Sequence, residues 1–583
     1  MNPEFGHFLE ESCFALAKEV PEFPTQMGLF EVAGKPVPQH YFTAIDSGAV
    51  AQRQELLAGM GTTLAQFPRE SLDAGEKLSA DLLGFLVTHI HERGLMGTAG
   101  KDFLQHEYLI RPSVGLQSEL PLFLTNLHPM RHPGDAEDFL SRLKSIASLL
   151  DAATTQIQMR QVAGLLPPAL VLRDSIEEIE QFLATPPSEN VILSTLIEKT
   201  AGMAGLDQST RDVLLAETTT ELSGQTYPVY RQLLSRLRKQ VPMAEEAPGV
   251  WRLPDGDAWY DFQLKCATTL SLTADEVHDI GLEETHRLEQ KIIAASREVG
   301  IDARNIGDCH QALDSGRMTA LDDTEANRDA IVDEIKTLMA EIVPRLPELF
   351  HRLPMGQVTV KAIPRFAEAN RNQSYQPPSM DGSRAGFFEL NVGQLLEESE
   401  FELPILVYHE IFPGHHLQMA RAQETEGLPS LRRIITFDAY IEGWAKYAET
   451  LPELHHINQD PYFRIARMRR ELISTINLVL DTGIHAKRWS TEQATHYFSE
   501  HSGKDQAFSR FIVHRSASVP AQLCSYKLGM MKMQNLRSKM EAALGASFDV
   551  RDFHEAVLGS GAVPLALLEP LVNQAIGRIL DKA

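Results

Sequence analysis

The segment 408–418 concentrates side chains that could do chemistry. It contains the imidazoles of His409, His415 and His416 and the carboxylate of Glu410 within eleven positions. Imidazoles and carboxylates bind zinc in hydrolytic sites, where one coordination position stays open for water. A glutamate beside the first histidine can accept a proton from that water. These residue types predict a zinc hydrolase with Glu410 as the general base.

The spacing of the histidines departs from the usual H-E-x-x-H motif, in which both ligands lie on one helix. Pro413 occupies the fifth position. A seven-residue step along a helix covers about 10.5 Å, which disfavours His416 as the partner of His409. Pro413 and the permissive Gly414 favour a two-residue bulge that brings His415 into the second ligand position. His416 remains the alternative, as a ligand, a donor to substrate or a packed neighbour.

A third ligand is expected on a following helix, in the segment 437–449. Glu442 is the candidate, because the chain between the two segments is long enough for one helix to end and a second to return. Asp438 and Glu449 share its helix face by spacing and could orient an imidazole by hydrogen bonding. The sequence therefore predicts one zinc ion held by His409, His415 and Glu442.

The elements that position these residues are predicted to be mainly helices. Apolar residues recur three and four apart in long stretches of the chain, which is the helical pattern. Clear examples are 135–157, 174–183, 325–343 and 534–544. The stretch 241–256 is rich in Pro, Glu and Gly and predicts a boundary. We expect an N-terminal helical region over 1–245 and a metal-binding catalytic region over 246–583, which could also form one continuous body.

Two short segments, 357–363 and 386–392, break the helical pattern. They are rich in β-branched and aromatic residues and follow turn signals, which is typical of strands. We predict a small antiparallel sheet next to the metal site. Its Gly386 and Phe387 are candidate substrate-binding residues, since an extended peptide can add to a strand edge through backbone hydrogen bonds.

Composition excludes several classes of partner. The chain of 583 residues carries 54 basic and 79 acidic residues, and its net charge of -25 would repel nucleic acid and anionic membrane surfaces. It contains no apolar run of transmembrane length. The first thirty residues lack a basic region followed by an apolar run, and the four cysteines show no C-x-x-C spacing. These features favour a cytoplasmic location.

The segments 409–418 and 442–449 together resemble the DUF885 family of bacterial proteins. These are distant relatives of the helical gluzincin peptidases, which include angiotensin-converting enzyme, thimet oligopeptidase and Taq carboxypeptidase. Further matching segments are 127–129, 253–256, 377–378 with 381–384, 481–485 with Trp489, 525–529, and 559–561 before 564–565. One segment departs from the family pattern: Ala521 and Leu523 stand where the family usually has Gly and Ala.

The resemblance implies a mainly helical, multi-lobed, gluzincin-like fold with a deep central cleft and one zinc ion on its floor. It also implies His415 as the second ligand. His485 and Tyr526 lie in matching segments and are candidate donors to the oxyanion of the tetrahedral intermediate. Arg384 or Lys527 could bind a substrate carboxylate.

The predicted function is that of a zinc metallopeptidase of oligopeptidase, dipeptidase or carboxypeptidase type. Short peptides are the expected substrates, because a narrow cleft between helices excludes folded proteins. One alternative is a metal-dependent amidase acting on a specialised metabolite or a modified amino acid, with the same zinc chemistry. A non-catalytic binding protein is a further alternative, which the intact Glu410 disfavours.

Overall fold

The computed structural model describes residues 2–95, 106–317, 321–363, 365, 368, 373–396 and 401–582. Over these residues the protein is mainly helical with two small sheets, which confirms the predicted class. The chain forms two compact units. One unit contains Met1–Ala247, Ser379–Ser383 and Pro429–Leu431, and the other contains Pro248–Pro378, Arg384–Leu428 and Arg432–Ala583.

The first unit is built from helices packed around an apolar core. The helices are α1 (Pro3–Glu19), α2 (Glu22–Gln26), α3 (Ser47–Leu64), α4 (Ala74–Leu95), α5 (Leu116–Leu122), α6 (Pro133–Val162), α7 (Ala169–Ala184), α8 (Val191–Thr200), α9 (Gln208–Glu221) and α10 (Tyr227–Gln240). Strands β1 (Glu31–Val32) and β2 (Lys35–Pro36) pair antiparallel. Leu143, Ile146 and Leu233 are fully buried in the core. The predicted helical stretches 135–157 and 174–183 lie within α6 and α7.

Residues after 247 form a second series of helices. They are α11 (Gly256–Thr268), α12 (Ala274–Glu298), α13 (Ile306–Arg317), α14 (Glu325–Ile342), α15 (Val392–Leu395), α16 (Glu402–Glu410), α17 (His415–Glu424), α18 (Ser430–Ile434), α19 (Asp438–Ala448), α20 (Leu451–Leu454), α21 (Pro461–His485), α22 (Thr491–Ser502), α23 (Gln506–Ser518), α24 (Cys524–Leu544), α25 (Val550–Leu558) and α26 (Leu565–Leu580). The predicted stretches 325–343 and 534–544 coincide with α14 and part of α24. No described helix is both long and apolar enough to cross a membrane.

The second unit also contains a three-stranded sheet of β3 (Val358–Ala362), β4 (Ser374–Gln376) and β5 (Gly386–Leu390). Strand β5 lies in the centre, parallel to β3 and antiparallel to β4. The sheet is therefore mixed, and the prediction of an antiparallel sheet was wrong. The sequence predicted β3 and β5 but missed β4, which is short and lies beside a proline-rich turn.

The segment 408–418 forms two helices rather than one bulged helix. Helix α16 ends at Glu410, the Phe412–Pro413 peptide is cis, and α17 begins at His415. A Cβ atom on Gly414 would lie 1.7 Å from the carbonyl oxygen of His409, so this close approach requires glycine. Trp444 Nε1 donates to the Pro413 carbonyl at 3.0 Å. The turn nevertheless brings His415 beside His409, with ring centroids 4.8 Å apart, as the predicted bulge was expected to do.

Helices α19 and α24 pack with their backbones almost in contact. A Cβ atom on Gly443 would lie 2.5 Å from the Cα atom of Gly529, and a Cβ atom on Gly529 would lie 2.0 Å from the Ala439 carbonyl oxygen. Glycine at both positions permits this approach. The contact places the helix that carries Glu442 directly against the helix that carries Tyr526.

Candidate metal centre

The three predicted metal ligands come together in the second unit. One donor atom from each of His409, His415 and Glu442 lies within 4.8 Å of the others. Glu442 Oε2 is 3.5 Å from His409 Nε2 and 3.7 Å from His415 Nε2. Both imidazoles are buried, and Glu442 is partly buried. We call these three residues the metal cluster.

Glu442 Oε2, the carboxylate oxygen nearest to the Nε2 atoms of both imidazoles, is buried and has no hydrogen-bond partner among the described residues. A buried polar atom without a partner costs free energy, so native proteins satisfy nearly all of them. Two imidazoles and a carboxylate with donor atoms this close form a donor set that zinc prefers. The residues therefore fit a bound zinc ion.

The orientation of His409 is set by a chain of buried charges. Its Nδ1 donates to Glu449 Oε1 at 2.9 Å, and Lys446 Nζ donates to Glu449 Oε2 at 2.7 Å. Burial would raise the pKa of Glu449, but the charges of Lys446 and His409 outweigh it and hold this pKa at about 2. The bond to Glu449 leaves Nε2 of His409 facing Glu442, an arrangement typical of metal-binding histidines. Asp438, the other predicted orienting residue, is exposed in the first turn of α19.

The electrostatic field at the metal cluster favours a cation. Burial would lower the pKa of His409, but the carboxylates of Glu442, Glu449 and Glu410 raise it to about 9. Burial would raise the pKa of Glu442, yet the neighbouring imidazoles and Arg515 lower it. His415 shows the opposite balance, since burial lowers its pKa to about 4 and keeps its imidazole neutral and able to bind a metal.

Glu410 is the last residue of α16 and lies next to the metal cluster. Burial, together with the negative charges of Glu442 and Glu449, raises the pKa of Glu410 to about 7, against the attraction of His409. None of the described hydrogen bonds involves its carboxyl group. A carboxyl group in this position can accept and return a proton near neutral pH.

Tyr526 lies beside the metal cluster, close enough for Glu442 to act on its ionisation. Burial and the charge of Glu442 raise the pKa of Tyr526 to about 12, so the hydroxyl stays protonated. Its oxygen accepts hydrogen bonds from Arg515 Nη2 at 3.1 Å and from Gln522 Nε2 at 3.4 Å. Since both neighbours donate, the hydrogen of Tyr526 is left to point toward another acceptor.

His485, the other predicted oxyanion donor, is buried and uses both ring nitrogens in hydrogen bonds within the protein. It is fully buried. The Val250 amide donates to its Nδ1 at 3.2 Å, and its Nε2 donates to the Ser516 carbonyl at 3.1 Å. Both ring nitrogens are therefore occupied, which corrects the prediction that His485 donates to substrate. Its contacts instead fix the end of α23.

Lys527, a predicted carboxylate-binding residue, is also occupied. Its ammonium group is fully buried and lies 2.7 Å from Glu471 Oε1 and 3.0 Å from Glu284 Oε2. Arg287 and Arg467 pair with the same two carboxylates. A cation that already has two anionic partners does not bind a substrate carboxylate, so this prediction is corrected as well.

Both ring nitrogens of His416 form hydrogen bonds within the protein. Its Nε2 donates to the Gly356 carbonyl at 3.0 Å, and its Nδ1 accepts from the Tyr375 hydroxyl at 2.8 Å. The Tyr375 ring in turn lies nearly parallel to the His415 ring, with a centroid distance of 6.4 Å. His416 therefore acts as a support for the tyrosine that packs on a metal-cluster imidazole, and not as a ligand or a donor to substrate.

The remaining predicted substrate-binding residues surround strand β5. Gly386 donates its amide to the Gln357 carbonyl at 2.8 Å, and Phe387 lies in the paired central strand. Neither residue offers a free strand edge, because β5 is paired on both sides. The Arg384 guanidinium lies 5.5 Å from the centre of the Phe387 ring. Its role in binding a substrate carboxylate stays a prediction.

Sequence reasoning missed Tyr375 and Arg515. Tyr375 lies on the short strand β4, in a stretch that the sequence indicates as a loop. Arg515 lies near the end of α23, far along the chain from every predicted ligand. Neither residue belongs to a motif with metal-ligand spacing, so only the folded chain reveals that both adjoin the metal cluster.

The chain matches one family model and is similar to solved structures. A family model described as bacterial protein of unknown function (DUF885) matches residues 21–572. A crystal structure of "the putative lipoprotein" from Colwellia psychrerythraea is 26% identical, covers 99% of both chains and superposes with a TM-score of 0.92. The structure of a "putative lipoprotein of unknown function" from Shewanella oneidensis shares the fold, with 18% identity, coverage of 98% and 99%, and a TM-score of 0.72. None of the curated proteins matches the chain.

Proposed function

The chain belongs to the DUF885 family, and we propose that it is a zinc-dependent hydrolase that cleaves amide bonds in short peptides. One observation carries the proposal. One donor atom from each of His409, His415 and Glu442 lies within 4.8 Å of the others, next to the carboxyl group of Glu410, and the buried Glu442 Oε2 has no hydrogen-bond partner among the described residues. The family description itself names no function.

The residues that would hold the metal are His409, His415 and Glu442. Zinc, when bound, supplies a Lewis acid that polarises a carbonyl group and lowers the pKa of water. The hydrogen bond from His409 to Glu449 fixes the ring that would face the ion, and the Tyr375 ring lies nearly parallel to the His415 ring. These supports keep the donor atoms in place before metal and substrate bind.

Glu410 would move the proton in the proposed reaction. Its carboxylate accepts a proton from the attacking water and later delivers it to the nitrogen of the leaving amine. The Tyr526 hydroxyl donates its hydrogen to the carbonyl oxygen of the substrate as negative charge develops there. Arg515 and Gln522 hold the Tyr526 oxygen from the other side, which aims that hydrogen.

A relation to the helical gluzincin peptidases is part of this proposal. It is supported by the order of groups along the chain: a histidine and glutamate that end one helix, a histidine that begins the next, and a glutamate on a later helix. A gluzincin-like cleft would admit an extended peptide and exclude a folded protein. Strands β3 and β4, which form the edges of the sheet, are the candidate sites for pairing with that peptide.

We propose a cytoplasmic location, supported by four cysteines that are all free thiols. The solved structures from Colwellia psychrerythraea and Shewanella oneidensis are described as lipoproteins, which makes a membrane-attached form the competing outcome. Cell fractionation with an antibody against the native protein decides between the two locations.

The activity is tested with a library of short peptides and the zinc-loaded protein. We expect cleavage that a chelator abolishes and that Glu410→Gln lowers by about 10²- to 10⁴-fold, the usual contribution of a general base. The zinc content of Glu410→Gln should stay equal to that of the wild type. Glu426→Gln, at an exposed position just after α17, is the matched control and should retain full activity.

Two outcomes would contradict the proposal. Full activity of Glu410→Gln would remove the proposed general base. Cleavage of non-peptide amides, with no peptide hydrolysed by the zinc-loaded wild type, would favour the amidase alternative.

A further inference from the structure

Arg515 is a cation beside the metal cluster, and no described carboxylate forms an ion pair with it. Its Nη2 donates to Gln522 Oε1 and to the Tyr526 hydroxyl, both at 3.1 Å, and both acceptors are neutral. Within the part of the chain that the structure describes, no carboxylate lies within ion-pair distance of its guanidinium. By contrast, Arg467 and Arg287 each pair with a glutamate.

The guanidinium of Arg515 keeps donors available for a ligand. Its Nε and Nη1 make no hydrogen bond to the described residues, and neither atom is among the buried polar atoms without a partner. These donors are therefore open to solvent or to a bound molecule. A planar guanidinium with two free N–H groups matches the two oxygens of a carboxylate.

Hydrogen bonds to Ser516 and to the turn that follows it hold the backbone next to Arg515 in place. Asp481 is fully buried and accepts hydrogen bonds from the Ser516 hydroxyl and the Ala521 amide, both at 2.9 Å. His485 donates to the Ser516 carbonyl. The turn between α23 and α24 is thereby clamped onto α21. This clamp holds Arg515 and Tyr526, which lie on either side of the turn, in one arrangement.

We infer that Arg515 binds the free carboxylate at the C-terminal end of a short peptide, so that the protein releases residues from the carboxyl end. The inference rests on the proposed function, in which Tyr526 donates to the carbonyl of the cleaved bond. Arg515 is one hydrogen bond away from Tyr526. Since an extended residue spans about 3.3 to 3.6 Å, a carboxylate on Arg515 lies one or two residues beyond that bond.

The pairing of the nearby charged groups also supports the binding of a substrate carboxylate by Arg515. Lys527 is closed to substrate by Glu284 and Glu471, which leaves Arg515 as an open cation next to the metal cluster. The charges of Arg515 and Glu442 act on each other, but the two groups form no ion pair. A substrate carboxylate supplies the anion that the protein does not provide.

Binding without turnover tests the inference directly. The zinc-loaded Glu410→Gln protein is titrated with the tripeptide phenylalanyl-alanyl-leucine and with the same peptide amidated at its C-terminus. We expect the free acid to bind about 10- to 100-fold more tightly than the amide, as for hydrogen bonds to a charged group. Adding Arg515→Gln should remove this difference by weakening the acid alone. Adding Arg510→Gln, at an exposed position on the same helix, should preserve it.

Activity distinguishes failure of this inference from failure of the proposed function. Wild type that cleaves free-acid and amidated peptides equally well, with Arg515→Gln slowing both alike, would overturn the role of Arg515 and leave the hydrolase intact. Equal affinity of the Glu410→Gln protein for the acid and the amide would overturn it as well. Wild type that prefers the acid in binding but cleaves no peptide would support the Arg515 site and contradict the proposed function.

A second variant keeps the result independent of folding. Arg515→Lys retains the charge but loses the planar guanidinium group. We therefore expect its preference for the free acid to be weaker than with Arg515 and stronger than with Arg515→Gln. Zinc content and melting temperature confirm that each variant is folded. An acid preference of the Glu410→Gln protein that neither added Arg515 substitution changes would contradict the inference, provided both variants are folded.

Discussion

The second unit contains two groups of buried charged residues on helices, and they are built in opposite ways. In the ion-pair network of Glu284, Glu471 and Lys527, the buried ammonium group lies 2.7 Å and 3.0 Å from two carboxylates. Further arginines neutralise those carboxylates. In the metal cluster, Glu442 Oε2 lies 3.5 and 3.7 Å from the Nε2 atoms of the two imidazoles, and it has no hydrogen-bond partner among the described residues.

The difference in pairing indicates that the ion-pair network stabilises the fold, whereas the metal cluster is suited to bind a cation. Removing a charge from water is costly, and the ion-pair network offsets the cost with close partners inside the protein. The metal cluster leaves part of that cost uncompensated, which is the condition for binding a cation from outside. The same residue types, glutamate and a basic side chain on packed helices, serve either purpose. The ion-pair network and the metal cluster differ in whether their charged atoms have close partners within the protein.

The largest expected effect on folding comes from the ion-pair network. Lys527→Met leaves the buried Glu471 and the partly buried Glu284 short of a cation, so the free energy of unfolding should fall by about 3 to 5 kcal/mol. Urea denaturation of the metal-free protein measures this change. The folded fraction should still bind one zinc ion. Lys532→Met, on the same helix but partly exposed, is the control and should cost less than about 1 kcal/mol. A loss for Lys527→Met as small as that for Lys532→Met would contradict the claim that the ion-pair network stabilises the fold.

A smaller effect is expected where buried charges support the metal cluster. The double variant Lys446→Met with Glu449→Gln removes both charges behind His409, so no lone ammonium group stays buried. Zinc affinity should weaken by about 10- to 100-fold, because the ring of His409 loses its anionic partner. Competition with a chelator of known affinity measures the change. An unchanged affinity would show that Glu449 does not support the metal cluster.

The smallest expected effect lies in the turn that follows Arg515. Ala521 has a φ of 70°, in the left-handed region that favours glycine. Ala521→Gly should raise the free energy of unfolding by about 0.5 to 1 kcal/mol, since relief of strain exceeds the added freedom of the unfolded chain. Thermal unfolding measures this gain. Destabilisation by the same substitution would mean that the alanine methyl group contributes more through packing than it costs in strain.

Part of this arrangement follows from local sequence. The helices are periodic, and the spacing of His409, His415 and Glu442 with a helix break between the histidines predicts that they meet. The structure brings the three together, and their binding of zinc stays a prediction. Pro413 and Gly414 indicate that the helix is disrupted there, although a full break rather than a bulge occurs because Gly414 lies against the His409 carbonyl.

The rest depends on partners from distant segments. His485 is occupied by Val250 and Ser516, and Lys527 is occupied by Glu284 and Glu471. A sequence motif shows that such residues can donate, but not that the fold has already used their donors. Arg515 is the opposite case, because its inferred role depends on the lack of a carboxylate partner among the described residues, which no motif in the sequence indicates.

The zinc content of the purified protein tests the central claim most directly. Wild type and Glu442→Gln are loaded with zinc, dialysed together and measured by elemental analysis, with Asp438→Asn as the control on the same helix. We predict one zinc ion per chain for wild type and for the exposed control, and close to none for Glu442→Gln. One zinc ion per chain retained by Glu442→Gln would contradict the assignment of His409, His415 and Glu442 as the metal site.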